Sequence, residues 1–120
     1  MPTSKQETAD GEGKQVNVED MLQVARAWWQ LKYGAVPLLV NVTNQLPADQ
    51  DGEIDYSTKT VLVSERTEEP ILTMFHELDH WWVHSRTNLE EKISEKSIDR
   101  MAKDDLRDFR RDMREIAKSL

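Results

Sequence analysis

The sequence predicts an α+β domain in which helices flank a small three-stranded sheet. Two segments, residues 17–34 and 89–120, repeat apolar residues at spacings of three and four, which is typical of amphipathic helices. Between them, residues 35–64 contain runs rich in β-branched residues that Gly, Pro, Asn and Asp interrupt. A chain of 120 residues suits one core. We therefore expect one domain at residues 16–120, preceded by a flexible polar tail at residues 1–15.

The first helix has clear limits and a predicted buried face. Asn17 can cap its first turn, and Gly34 can end it. The apolar stripe predicts that this face consists of Met21, Val24, Ala25, Trp28 and Leu31. We expect the neighbouring Trp28 and Trp29 to pack against the sheet.

The sheet is predicted to contain one strand followed by a hairpin. The first strand lies in "AVPLLVNVTNQLP", and the hairpin lies in "GEIDYSTKTVLVSE". In the hairpin, Ile54 and Tyr56 alternate with charged residues, "STK" forms the turn, and "TVLVS" forms the last strand. We expect residues 61–64 to lie at an edge of the sheet, where a peptide can add as a further strand.

Two further helices are predicted after the sheet. Pro70 suits a first helical position, and this helix should continue to about Ser85. Trp81 and Trp82 are expected to anchor it against the sheet and the last helix. Residues 89–120 are predicted to form one long amphipathic helix that is bent or broken around residues 103–105.

Composition excludes several classes of function. The net charge of -7, with no basic cluster, argues against nucleic-acid binding. The absence of cysteine removes disulfides, thiolate metal ligands and cysteine nucleophiles. No apolar run reaches the roughly 18 residues of a membrane span, and the N-terminus does not resemble a signal peptide. The sequence therefore predicts a cytoplasmic protein without a membrane partner.

The chemistry is concentrated in "HELDH", residues 76–80. His76 and His80 are one helical turn apart, so both imidazoles can bind one Zn²⁺. Glu77 is rotated by about 100° from His76 and would lie beside the ion. There it can act as the general base that takes a proton from the attacking water. HExxH is a moderately specific signal for such a site.

The third ligand must lie outside this pentapeptide, because a catalytic zinc usually has three protein ligands. A carboxylate early in the last helix is the expected donor, since His84 is a full turn beyond His80. Glu95 is the predicted ligand and Asp99 is predicted to orient a histidine ring, with Glu91 as the main alternative.

Two more residues are candidates for the catalytic centre. His84 is on the same helix face as the other two histidines and is expected to contact the substrate or steady an oxyanion. Tyr56 could donate a hydrogen bond to a tetrahedral intermediate if its strand borders the cleft.

The run "GEIDYSTKTVLVSERTEEPILTMFHELDHWWVH" resembles the ImmA/IrrE family of small zinc metallopeptidases, and "EKSID" resembles the second helix of gluzincins. The resemblance covers about residues 17–105. It implies His76, His80 and Glu95 as zinc ligands and Glu77 as general base. Asp79 stands where glycine is common in that family. The resemblance also implies a protein substrate, such as a transcriptional repressor of a phage or mobile element.

The sequence thus predicts a zinc metallopeptidase with a protein or peptide substrate. Two other hypotheses remain at this point. One is a catalytically inactive, zinc-stabilised module that binds a partner through its acidic surface. The other is a metal-free interaction domain built around the long C-terminal helix.

Overall fold

Three helices and a three-stranded mixed sheet make up the fold of the computed structural model, which describes residues 17–35, 37–86 and 94–120. In chain order these are α1 (Val18–Tyr33), β1 (Leu39–Thr43), β2 (Gly52–Asp55), β3 (Thr60–Ser64), α2 (Pro70–Arg86) and α3 (Glu95–Ser119). The α+β prediction is confirmed, including the long C-terminal helix. The predicted tail and Glu91 lie outside the described residues. None of the helices described here is long and apolar enough to cross a bilayer.

Helix α1 has the predicted limits but a different buried face. The Asn17 side chain accepts hydrogen bonds from the backbone N–H groups of Glu19 and Asp20, and Gly34 ends the helix at φ 62°. The buried residues are Leu22, Ala25 and Trp29. Val24 and Leu31 are 47% and 85% exposed. The predicted face was therefore wrong by about one residue along much of the helix, although Ala25 belongs to both sets.

The sheet has strand order β1-β3-β2. β1 pairs with β3 in parallel and β2 pairs with β3 in antiparallel orientation. The β2–β3 hairpin is confirmed, but residues 61–64 belong to the central strand rather than to an edge. The reason is that β3 pairs with β1 on one side and with β2 on the other, so the outer strands of the described sheet are β1 and β2. Tyr56 lies in the turn after β2 rather than in a strand.

The hairpin turn is closed by the side chain that precedes it. Oδ1 of Asp55 accepts hydrogen bonds from the backbone N–H groups of Ser57 at 3.0 Å and Thr58 at 3.3 Å. Lys59 has φ 55°, the left-handed conformation that lets the chain enter β3. The turn therefore places Tyr56 at the end of the edge strand, on the side of the sheet where α2 later ends.

The core lies where α1, α2, α3 and the sheet meet. The ring centroids of Trp28, Phe75 and Phe109 are 5.6 to 6.0 Å apart in tilted or edge-on pairs. Trp82 contacts Trp29 and Tyr33 of α1. The aromatic contacts of Trp28, Trp29 and Trp82 thus join helix to helix. The prediction that Trp28 and Trp29 pack on the sheet missed their aromatic partners on the other helices. The prediction that Trp82 anchors α2 to the sheet and the last helix missed its contacts with α1.

Two aspartates lie in this core with no solvent exposure, Asp79 of α2 and Asp105 of α3. Asp79 accepts a hydrogen bond from Nε1 of Trp29 at 2.9 Å, and Asp105 accepts from Nζ of Lys32 at 2.7 Å and the Tyr33 hydroxyl at 2.8 Å. The Oδ2 atoms of both carboxyl groups are buried without a hydrogen-bond partner among the described residues. Burial, and next the neighbouring Asp105 carboxyl, raise the pKa of Asp79 well above its ordinary value. The folded protein therefore favours a proton on the Asp79 carboxyl.

The protonated Asp79 predicts a pH-dependent stability. Above pH 3.8 an unfolded chain loses this proton while the folded chain keeps it, so the contribution of Asp79 to the free energy of unfolding falls as pH rises. Asp79→Asn keeps an acceptor for the indole N–H of Trp29 and has no titrating proton. Relative to the wild type, the free energy of unfolding of the variant should rise by about 1.4 kcal/mol per pH unit between pH 5 and pH 7. Urea denaturation measures this difference.

The matched control for this experiment is Asp104→Asn, which changes a largely exposed aspartate of α3 paired with Arg107. Its difference from the wild type should stay constant over the same range of pH. A constant difference for Asp79→Asn as well would show that Asp79 is ionised in the folded protein.

Candidate metal centre

The two histidines of "HELDH" lie on the partly exposed face of α2. Their imidazole centroids are 4.8 Å apart, and both rings are partly buried. Met74, Phe75 and Leu78 are buried on the inner face of the same helix. The apolar residues therefore fix the orientation of α2, and this orientation directs His76 and His80 toward the first turn of α3.

Glu95, the first residue of α3, lies across from both histidines. Its Oε1 is 3.1 Å from Nε2 of His76 and 3.2 Å from Nε2 of His80, and its Oε2 is 2.7 Å from Nε2 of His80. Ser94 caps the helix by accepting a hydrogen bond from the backbone N–H of Ser97, which sets where α3 begins. One ligand atom from each of the three side chains lies within 4.8 Å of the others, so they could hold a metal ion.

The donor set fits a tetrahedral metal. Two ligands held at about 2.0–2.1 Å from one ion lie about 3.3 Å apart, close to the 3.1 and 3.2 Å between the histidine Nε2 atoms and Oε1 of Glu95. All three donors are nitrogen or oxygen, which suits a chain without cysteine. The structure thus contains a candidate metal centre at the junction of α2 and α3.

Asp99 lies one turn after Glu95 and contacts the other nitrogen of His76. Its Oδ1 is 2.8 Å from Nδ1 of His76. A proton on Nδ1 that is donated to Asp99 leaves the Nε2 lone pair facing the Glu95 carboxylate. Two acceptors in contact repel each other, so this arrangement requires either a cation between them or a second proton on the ring. This tautomer is the one in which His76 can bind a metal.

Glu77 is half-buried beside this cluster. Burial raises the pKa of its carboxyl to about 7; His76 opposes this change, while the charges of Glu95 and Glu53 reinforce it. A carboxyl with a pKa near neutrality can both accept and return a proton at physiological pH. Glu77 is therefore able to exchange a proton near neutral pH.

A cavity of about 340 Å³ adjoins the cluster on the side of Glu77. Its walls come from the loop before β2, from α2 and from the first turns of α3, and they include His76, Glu77 and Asp99. Both apolar and polar groups line it. The cavity gives a ligand access to Glu77 and to one of the metal-ligating histidines together.

His84 and Tyr56 lie together near the C-terminal end of α2. Their ring centroids are 5.1 Å apart in an edge-on contact, and the His84 ring stacks on His80 at 6.2 Å. His84 is exposed and is not part of the metal-ligating group. The two residues thus border the centre next to His80, although Tyr56 reaches this position from a turn.

Three features of the site were not predicted from the sequence. Asp79 and Asp105 were overlooked, although Asp79 follows Phe75 by four residues and so falls on the buried face of α2. The third is Gly52, whose backbone borders the cavity. No sequence signal distinguished this glycine from a turn residue.

Comparison with known proteins adds no assignment. No protein-family model, curated protein or solved structure matches the chain.

The centre predicts a graded response of Zn²⁺ affinity to substitution. Glu95→Gln should weaken binding by more than about 100-fold, because it removes a charged ligand. Asp99→Asn should weaken it by roughly 10–100-fold, the usual effect of losing a partner that orients a histidine. Competition with a chromogenic chelator measures both affinities.

Two variants control for the loss of a carboxylate. Glu91→Gln should leave the affinity unchanged, and so should Glu115→Gln, which alters an exposed residue of α3. If Glu91→Gln caused the larger loss, the third ligand would be Glu91.

Proposed function

We propose that this protein is a zinc metallopeptidase that hydrolyses a peptide bond in a protein substrate. The observation that carries the proposal is the position of Glu77, which lines the cavity together with His76 and has a pKa raised to about 7. A purely structural zinc site needs neither a cavity nor a buried carboxyl beside its ligands. The ImmA/IrrE resemblance of the sequence points to the same class of enzyme.

The residues of the centre have separate roles in this mechanism. His76, His80 and Glu95 would hold the metal, and Asp99 would orient His76 through Nδ1. When bound, Zn²⁺ supplies a Lewis acid that polarises the scissile carbonyl and acidifies the attacking water. Glu77 accepts a proton from that water as its oxygen attacks the carbonyl carbon. It then donates this proton to the amine nitrogen as the C–N bond breaks.

The edge strand β2 is the proposed binding site for the substrate backbone. Among the described strands, β2 pairs only with β3, so its other side can pair with an extended peptide. Gly52, its first residue, borders the cavity next to Glu77. A peptide along β2 would therefore pass close to Glu77, a role that the sequence had assigned to residues 61–64.

The resemblance extends the proposal to the kind of substrate. Transcriptional repressors of phages or mobile elements are the proposed substrates. Incubation of the zinc-loaded protein with purified repressors, followed by mass spectrometry of the products, tests this extension. Cleavage of random peptides but of no repressor would leave the peptidase proposal and reject the repressor as substrate.

Replacement of Glu77 by Gln tests the activity itself. The variant should lose hydrolysis by about 10²–10⁴-fold and still bind Zn²⁺, because the amide cannot accept the proton and Glu77 is not a ligand. Mass spectrometry of a randomised decapeptide mixture measures cleavage, and chelator competition measures the metal. Glu69→Gln, an exposed residue just before α2, is the matched control and should cleave like the wild type.

The outcomes separate the enzyme from its alternatives. Stoichiometric zinc without cleavage by the wild type would favour the zinc-stabilised binding module. A purified protein that binds no zinc would leave the metal-free interaction domain. Equal cleavage by the wild type and Glu77→Gln would contradict the role of Glu77.

The Tyr56 hydroxyl is proposed to donate a hydrogen bond to the oxyanion of the tetrahedral intermediate. His84 packs against the ring of Tyr56. Tyr56→Phe keeps the ring contact and removes only the hydroxyl. We expect kcat to fall by roughly 10²-fold, the usual effect of losing one oxyanion donor, with little change in KM. A variant with unchanged kcat would show that Tyr56 contributes packing alone.

A further inference from the structure

Gly52 lies where the edge strand β2 crosses the side chains of α2. A Cβ atom added to Gly52 would be 2.6 Å from Cγ2 of Thr73 and 3.3 Å from Cγ of Glu77. Carbon atoms in contact normally keep about 3.5–4.0 Å. No side chain fits here unless Thr73 or Glu77 moves.

Space, and not backbone conformation, makes glycine necessary at this position. Gly52 does not have a positive φ, whereas Gly34 has φ 62° and nothing within 4 Å of its added Cβ. The two glycines are therefore required for opposite reasons. Gly34 allows a left-handed turn, and Gly52 allows a close approach of strand and helix.

The atoms around Gly52 cannot easily move to make room for a side chain. Its partner in the sheet is Val63 of the central strand, and its carbonyl accepts a hydrogen bond from Nε2 of Gln50 at 3.1 Å. On the other side, Oγ1 of Thr73 is 3.3 Å from Oγ1 of Thr67, a contact that a rotation of the Thr73 side chain would break. An added methyl group would therefore push on α2 and on the stem of Glu77.

We propose that Gly52 is a positioning residue for Glu77. Its bare backbone lets β2 approach α2 so closely that the Glu77 stem rests on the strand and the carboxyl is held beside His76, at the cavity. This inference rests on the proposed peptidase function. Misplacing a reacting group by about 1 Å can reduce turnover by about 10²-fold.

The first test is Gly52→Ala in the zinc-loaded protein. We expect kcat on the cleaved peptide to fall by at least about tenfold, while Zn²⁺ affinity stays within about twofold, because none of the three metal ligands is among the nearest neighbours of an added Cβ at Gly52. Gly34→Ala is the matched control. It strains a left-handed residue far from the cavity, so it should lower Tm by several degrees and leave kcat unchanged.

A rescue experiment identifies the clash. Thr73→Ser removes Cγ2 and keeps Oγ1, so Gly52→Ala should lower kcat and Tm less in the Thr73→Ser background than in the wild type. The NMR signals of the Glu77 side chain in the zinc-free protein provide a readout without hydrolysis, and they should shift in Gly52→Ala and return toward their original positions in the double variant. If the wild type cleaves nothing, the proposed function fails, and these signals still decide whether Gly52 positions Glu77. Unchanged Glu77 signals in Gly52→Ala, or a fall in kcat explained entirely by lost zinc, would overturn the inference.

Discussion

The hydrogen bonds from α1 to two buried aspartates are the constraint on which the position of the centre depends. Asp79 of α2 and Asp105 of α3 have no solvent exposure, and Trp29, Lys32 and Tyr33 of α1 donate hydrogen bonds to them. Because a buried polar group is stable only with hydrogen-bond partners in place, these bonds restrict how α2 and α3 can pack on α1. That packing sets where Glu95, in the first turn of α3, meets the histidines of α2.

The metal-ligating histidines and the buried Asp79 lie on neighbouring faces of α2. Asp79 is rotated by about 60° from His76 and by about 100° from His80 around the helix axis. This rotation is enough to bury Asp79 while both histidines stay partly exposed. The same division applies to α3, where Glu95 and Asp99 are exposed and Asp105 is buried. A metal would therefore join α2 and α3 at their solvent-facing sides, while Asp79 and Asp105 accept hydrogen bonds from α1 in the core.

The sequence predicted those parts of the fold that local chemistry determines. Asn17, Gly34 and Pro70 marked helix ends because caps act within one turn, and the "HELDH" spacing placed two imidazoles on one face. The errors concern long-range choices. The buried face of α1 depends on which residues meet Phe75 and Phe109, and the central place of β3 depends on the path of β1 across the sheet. The closeness of Gly52 to Glu77 likewise arises only when strand and helix meet, so no pattern in the chain signalled it.

The carboxylates beside the cavity favour the binding of a cation. Glu77, Glu95 and Asp99 converge around two histidines, and the charges of Glu95 and Glu53 already raise the pKa of Glu77. Such a cluster of acids is self-repelling, and a divalent ion would reduce this repulsion while binding only part of the set. Glu77 would not bind this ion, because it lies beside the ligands, against the edge strand and at the cavity wall. A site that served stability alone would gain nothing from an additional half-buried acid in that place, whereas hydrolysis requires a base there.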